Sequence, residues 1–295
     1  MLDFQNTKKA VFSPGLDTRY FDGLTLQATP PVLTSAFVQA NAWWLAELSR
    51  VIYRRSVGED GMVLPDRRAV LQNAGLTESL FVSHGPTQAA VLSGGGFHAL
   101  VFRGTERLDD WLRNAEVLLV KWDGPGKVHA GFLRALNEVW DEVHRTLLKI
   151  DGPIFYTGHS LGGAVAVLAS ARIEEARRPL AVYTFGAPRC GNTTFARQHP
   201  LRDRVHRVVN NRDIVPLVPP LCEHTGELHY ITSDKRLVTN PRARDVWRDR
   251  LKDDETHSLL RDGIPEELTD HAPVNYVAWM QRFASAEWRR RFSRP

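Results

Sequence analysis

The run Gly158-His159-Ser160-Leu161-Gly162-Gly163-Ala164 holds a serine at the G-x-S-x-G spacing. That spacing suits a nucleophile presented on a tight strand-to-helix turn, where flanking glycines leave room for the turn and for close approach of a substrate. An apolar run, Ile154-Phe155-Tyr156-Thr157, precedes it and a helical pattern follows, which is the context the motif requires. Ser160 is therefore the candidate nucleophile. The Leu161 backbone N–H, at the start of that helix, would meet a developing oxyanion with both a donor and the helix dipole. A serine hydroxyl needs a base, and the base needs an orienting acid; on this scaffold they follow in the order Ser, Asp or Glu, His. Asp213, in VHRVVNNRDIVPLVPP, is the acidic residue that best follows a strand. The base lies among His224, His229, His257 and His271, and order alone does not choose between them. His159, beside the serine rather than opposite it, reads as a packing residue.

The elements that would position these groups are legible as alternating patterns. Ser35 to Arg55 places Phe37, Asn41, Trp44, Leu45, Leu48, Val51 and Ile52 close to one helical face, with Ser35 available as a cap. Short apolar runs follow at Gln88–Leu92, Phe97–Phe102, Val117–Lys121, Pro153–Thr157, Leu180–Thr184, Val205–Asn210 and Leu228–Thr232, with helical stretches at Phe132–Ile150 and Gly163–Ala176. Strands alternating with helices predict an α/β fold with a mostly parallel central sheet flanked by helices. In such sheets the site lies at the carboxyl ends of the strands.

With 295 residues, 43% of them hydrophobic, the chain can bury a full core, and with no repeat or linker it is expected to form one domain over 1–295. A net charge of +4 from 38 basic and 34 acidic residues is too small and dispersed to indicate a nucleic-acid partner. Two cysteines, Cys190 and Cys222, are expected to be free structural thiols, although one bridge remains open. The opening MLDFQNTKKAVFSPG has no long apolar run, so a soluble, cytoplasmic protein is expected. Cys222, His224 and His229 have metal-ligand chemistry but no partner motif, and no metal is expected. The C-terminal Trp288-Arg289-Arg290-Arg291-Phe292 reads as a solvated basic helix end in preference to a membrane-binding patch.

From Phe97 to Tyr276 the sequence resembles the class 3 (fungal-type) lipases of the α/β-hydrolase superfamily. The resemblance is carried by Phe102-Arg103-Gly104-Thr105, Val128-His129-Ala130-Gly131-Phe132, the Thr157–Ala164 segment, Thr184-Phe185-Gly186-Ala187-Pro188-Arg189-Cys190-Gly191-Asn192, and Asn211-Arg212-Asp213-Ile214-Val215-Pro216. It implies the α/β-hydrolase fold, Asp213 as the acid, and His271, in Asp270-His271-Ala272-Pro273-Val274-Asn275-Tyr276, as the base. It further implies that Thr105 supplies a second oxyanion donor beside Leu161. Glu106 to Asn114 fall where the family places a lid, with Leu108, Trp111 and Leu112 as its apolar side chains. Arg103 is expected in a buried ion pair and His224 in a structural role. Asn114 stands where an acidic residue is expected, and Cys190 where many relatives have Val. The expected chemistry is acyl transfer on a lipid or other carboxylic ester, triacylglycerol ahead of short-chain or feruloyl esters, with a transient lipid–water interface as partner and no metal or organic cofactor. A non-catalytic binding protein on the same fold is the alternative, and it predicts a broken triad.

Overall fold

The computed structural model describes residues 10–11, 13–16, 19–22, 30–55, 66–105, 118–252 and 266–292. In chain order these form α1 (Gln39–Val51), α2 (Arg67–Asn73), β1 (Thr77–His84), β2 (Thr87–Gly94) and β3 (Phe97–Phe102). There follow β4 (Leu119–Lys121), β5 (Lys127–His129), α3 (Ala130–Leu147), β6 (Ile154–His159), α4 (Leu161–Arg172), β7 (Ala181–Phe185) and α5 (Thr193–Gln198). The described chain closes with β8 (Val205–Asn210), β9 (Glu227–Ile231), β10 (Leu237–Thr239), α6 (Ala243–Lys252), α7 (Glu266–Thr269) and α8 (Pro273–Phe292).

Eight strands form one sheet in the order β1-β2-β3-β6-β7-β8-β9-β10. The stretch from β3 through β9 is parallel, while β1, β2 and β10 attach antiparallel at the two sides. The parallel core needs cover on both faces. Period-two alternation provides it: Ala99, Val101, Phe155 and Tyr183 pack with α1 and α8 in one apolar cluster, and Leu100, Phe102, Tyr156 and Val182 pack with α3 and α4 in the other. α4, LGGAVAVLASAR, is buried nearly throughout, which its apolar, small-residue sequence permits.

Two expectations need correction. Ser35 does not cap α1: the helix starts at Gln39 after Val38, with no side-chain cap, and the Ser35 carbonyl instead accepts a hydrogen bond from His206 Nε2. The run Val117–Lys121 does not enter the main sheet; Leu119–Lys121 pairs with Lys127–His129 in a separate two-stranded ribbon. Its side chains are only partly covered, so the apolar run was too short and too exposed to compete for an interior position. Cys190 and Cys222 are buried and unbonded. Among the described residues no helix is long and apolar enough to cross a membrane.

α1 is buried on its polar side as well. Glu47 and Arg50 lie 2.7 Å apart with side chains 1% exposed each. Glu47 Oε1 accepts from the Phe21 N–H, and the Arg50 guanidinium also donates to the Arg19 carbonyl and lies over the Tyr20 ring. Removing one member of such a pair strands a buried charge, so Glu47→Gln is expected to lower unfolding free energy by about 3–5 kcal/mol, read from urea denaturation.

Burial also holds several imidazoles neutral. It pushes His159 and His224 well below the usual histidine range, and His199 down to about 4. Once unfolded, these rings take protons below about 6.5, so the unfolded state binds more protons than the native one there. Stability is therefore complete above that pH and falls as the pH drops, by up to ~1.4 kcal/mol per unit for each ring. Thermal unfolding between pH 7 and 4 is expected to show a falling Tm, and replacing His199 by Gln is expected to flatten the slope.

Candidate active site

The site begins where β6 turns into α4. Ser160 occupies φ 57°, ψ −135°, a conformation a residue with a side chain adopts only under strain. The turn is pinned from both sides: the Ser160 N–H donates to the Phe185 carbonyl on the neighbouring strand, and the Gly163 N–H donates to the Ser160 carbonyl. Close backbone approach sets the local sequence. A Cβ at Gly158 would lie 2.3 Å from the Gly162 backbone, and one at Gly162 would lie 2.1 Å from the Phe102 carbonyl oxygen. The second contact seats the start of α4 on the end of β3, and so draws Arg103-Gly104-Thr105 to the turn. Gly104 completes the junction, since a Cβ there would meet the Ser160 Cβ at 3.0 Å and the Tyr53 hydroxyl at 2.1 Å. Thr105 thus lies one residue beyond that contact, half-buried, and Leu161 is the first residue of α4, where backbone N–H groups have no intrahelical partner.

Asp213 follows β8 and His271 precedes α8, and the two meet. His271 Nδ1 lies 3.0 Å and 2.9 Å from the two carboxylate oxygens of Asp213. Asp213 has no exposure, and its oxygens are fully engaged: Oδ1 accepts from the Val215 N–H at 2.9 Å and Oδ2 from the Tyr276 hydroxyl at 2.6 Å. The Tyr276 oxygen in turn accepts from the Asn210 N–H, and burial with the adjacent Asp213 charge pushes the phenol well above its usual range, keeping it a donor. Arg250 supports the loop from below, donating to the backbone carbonyls of Asn211 and Asp213. Asp270, next to His271, ties it to the Asp213 loop, accepting from the Asn210 side chain and the Arg212 N–H.

His159 does more than fill space. Its Nε2 lies 2.7 Å from the His271 carbonyl oxygen; a carbonyl only accepts, so Nε2 carries the proton and Nδ1 is left to accept from the Tyr53 hydroxyl at 3.2 Å. Burial, then the neighbouring His271, holds the ring neutral, as this pairing requires.

Two polar atoms stand out. Ser160 Oγ and His271 Nε2 are both buried and neither has a hydrogen-bond partner among the described residues. Buried polar atoms are ordinarily paired, and these two belong to the proposed nucleophile and the proposed base. No hydrogen bond joins them to each other; such contacts are often long in the absence of substrate and tighten in the complex.

Of the other histidines, His224 is partly buried with Nε2 on the Pro216 carbonyl, in keeping with a structural role. His229 lies on β9 in a different cluster, and His257 falls outside the described residues. The lid segment with Leu108, Trp111 and Leu112 also lies outside them, as do the side chains of Trp288 to Phe292. Arg103 donates to the Pro86 carbonyl. Sequence reasoning gave no role to Gly186, Tyr53 or Arg250, and saw Tyr276 only as an aromatic near His271. Gly186, with φ 59°, has a clear signal in hindsight: a Cβ there would lie 2.5 Å from Asp213 Oδ2 and 2.9 Å from His271 Nδ1. Arg250 lies too far along the chain from Asn211 and Asp213 to be found that way.

With the geometry in place, the comparisons with known proteins are specific. The family model described as lipase (class 3) matches residues 99–223. A lipase of Rhizomucor miehei is 34% identical over 155 residues, covering 46% of this chain and 42% of the relative. A protein of Fusarium solani named secreted mono- and diacylglycerol lipase 1 is 37% identical over 141 residues, covering 44% of this chain and 42% of the relative. The matches therefore span about two-fifths of the length of these two relatives. The structure of lipase II from Rhizopus niveus superposes with a TM-score of 0.51 at 31% identity, covering 56% of this chain and 70% of that one. These relatives overturn the cytoplasmic expectation, because the Fusarium protein is named as secreted and the lack of an apolar N-terminal run does not separate the two compartments. The fold that places a serine turn between β6 and α4, and the extended match across it, agree: this chain belongs to the class 3 lipase family.

Proposed function

We propose that the protein is a serine carboxylic-ester hydrolase that cleaves acylglycerols, with Ser160 as nucleophile, His271 as base, Asp213 as the orienting acid, and the Thr105 and Leu161 backbone N–H groups as oxyanion donors. The observation that carries this reading is the pair of buried atoms, Ser160 Oγ and His271 Nε2, that have no hydrogen-bond partner among the described residues, with the opposite edge of the same imidazole fixed on Asp213. Because Nδ1 faces an oxygen pair already receiving two donors, it is the protonated nitrogen, which leaves the Nε2 lone pair to take the serine proton. The serine then attacks the ester carbonyl, the alkoxide receives the proton from Nε2 and leaves, and water repeats the cycle on the acyl-enzyme. A non-catalytic binding protein would have no use for a strained serine and a base oriented in this way. The lipid preference rests on the relatives' names, which are those of lipases and of a mono- and diacylglycerol lipase, and the secreted name of the Fusarium protein supports action outside the cell.

The test is turnover on a panel of mono-, di- and triacylglycerols and p-nitrophenyl esters of increasing chain length, assayed below and above substrate solubility. Ser160→Ala is expected to lower turnover at least ~10³-fold while leaving the circular dichroism unchanged, and His271→Ala to do the same, with the double variant little worse than either. A folded Ser160→Ala protein with wild-type turnover would overturn the assignment. A protein active only on dissolved short-chain esters would replace acylglycerol lipase by esterase.

Tyr276→Phe separates orientation from chemistry. It removes one of the donors on Asp213 and leaves a buried carboxylate oxygen short of a partner, so unfolding free energy is expected to fall by about 1.5–3 kcal/mol. KM is expected to stay near wild type while kcat drops, because the substrate does not touch this phenol; steady-state kinetics beside urea denaturation reads both.

A further inference from the structure

At the end of β8 remote from Asp213, three ligand-type side chains converge. β8 and β9 run parallel with His206 opposite Glu227 and Val208 opposite His229, and the two-residue strand period puts Glu227 and His229 on one face. His229 Nε2 lies 3.4 Å from His206 Nδ1 and 3.1 Å from Glu227 Oε2; His206 Nδ1 lies 3.6 Å from that same oxygen. A Zn²⁺ ion bound tetrahedrally about 2.0–2.1 Å from each ligand holds its ligand atoms about 3.3–3.4 Å apart. The three observed separations bracket that value.

The outer edge of each imidazole is already committed. His206 Nε2 lies 2.8 Å from the Ser35 carbonyl oxygen, which only accepts, so Nε2 carries the proton and the neutral ring turns its Nδ1 lone pair toward the cluster. His229 Nδ1 lies 3.0 Å from Thr239 Oγ1, a partner able to take the Nδ1 proton and leave Nε2 facing inward. The Phe37 ring stacks on His229 at 3.6 Å between centroids, and Glu227 Oε1 accepts from the Asn240 side chain at 3.0 Å. Each ligand is therefore oriented by a neighbour that does not belong to the cluster. With the His229 proton on Nδ1, two nitrogen lone pairs and a carboxylate oxygen face one point and a cation there satisfies all three; without a cation, His229 carries its proton on Nε2 and donates to Glu227 Oε2.

We propose that His206, Glu227 and His229 bind Zn²⁺, with water in the fourth position. Both histidines are buried, whereas the Glu227 side chain is 34% exposed and lines an open cavity of about 470 Å³ with Gly226 and Asn240, so the ion enters past Glu227. The seat clamps β8 to β9 and, through Ser35 and Phe37, holds down the segment that leads into α1. Its role is structural, because Ser160 and Asp213 lie beyond the other ends of their strands. Of the residues with ligand chemistry weighed in the sequence, only His229 takes part; His224 is bound to Pro216.

The full chain, stripped with a chelator and dialysed, is titrated with Zn²⁺ by calorimetry while thermal unfolding is followed in parallel. One equivalent is expected to bind at micromolar or lower concentration and to raise Tm. Glu227→Gln, which keeps the shape of the most accessible ligand, is expected to weaken binding at least ~10-fold and abolish the rise in Tm. His84→Gln, which breaks a surface pair with Glu142, is expected to change neither. Absence of saturable binding in the wild type, or wild-type affinity in folded Glu227→Gln, overturns the proposal and assigns any bound metal to adventitious surface histidines. If Glu227→Gln does not fold, the Co²⁺ spectrum of the wild type decides: intense tetrahedral bands support the site, and weak octahedral bands overturn it.

Discussion

Ser160 is held in a backbone conformation that costs about 1–3 kcal/mol, and much of the molecule is arranged to keep it there. The strain is sustained by strands on both sides of β6: β7 accepts the serine N–H through Phe185, and β3 receives the start of α4 so closely that Gly162 has no room for a side chain. Behind the turn, Thr157 on β6 shares a hydrogen bond with Ser49 of α1 and another with the Leu45 carbonyl. A strained turn persists only where its surroundings leave no cheaper arrangement. Here a parallel strand core, buried on both faces, supplies that rigidity.

The Asp213–His271 side of the site depends on the opposite device, saturation rather than strain. Asp213 is wholly buried, a situation tolerated only when every lone pair is used. Val215, Tyr276 and His271 use them, Asn210 continues the chain through Tyr276, and Asp270 ties the same loop to the residue before His271. The result orients the imidazole from three directions: Asp213 at Nδ1, His159 at its backbone carbonyl, and Gly186 pressed against its edge. Among the described residues only Nε2 is left without a protein partner.

The parts of this arrangement that could be read from the sequence are those encoded locally. Ser160 was legible because the strand, the turn and the helix are contiguous, and the parallel core was legible because β6, β7 and β8 are short apolar runs between turn residues. Asp213 could be placed after a strand, but choosing His271 over three other histidines needed the family pattern, since His271 meets Asp213 through tertiary packing at a separation of 58 positions along the chain. β1 escaped notice because its burial alternates on a mostly exposed edge, and Ser35 was misjudged because its carbonyl serves His206 rather than the helix. Tyr53 and Arg250 reach the site from α1's exit and from α6, and nothing in their own neighbourhoods signals it.

The packing of α1 against α8, the first and last long helices described, bears on the order in which the molecule acquires its chemistry. Ser160 and its turn rest on strands complete by residue 210, but the imidazole at 271 comes into place only when the segment before α8 is seated against α1 and Asp213. During synthesis, Ser160 is thus placed well before His271. On the proposed assignment, a partly made chain, or one clipped ahead of His271, carries a serine with nothing to deprotonate it. On that assignment, hydrolytic power waits until the segment around His271 is seated against Asp213.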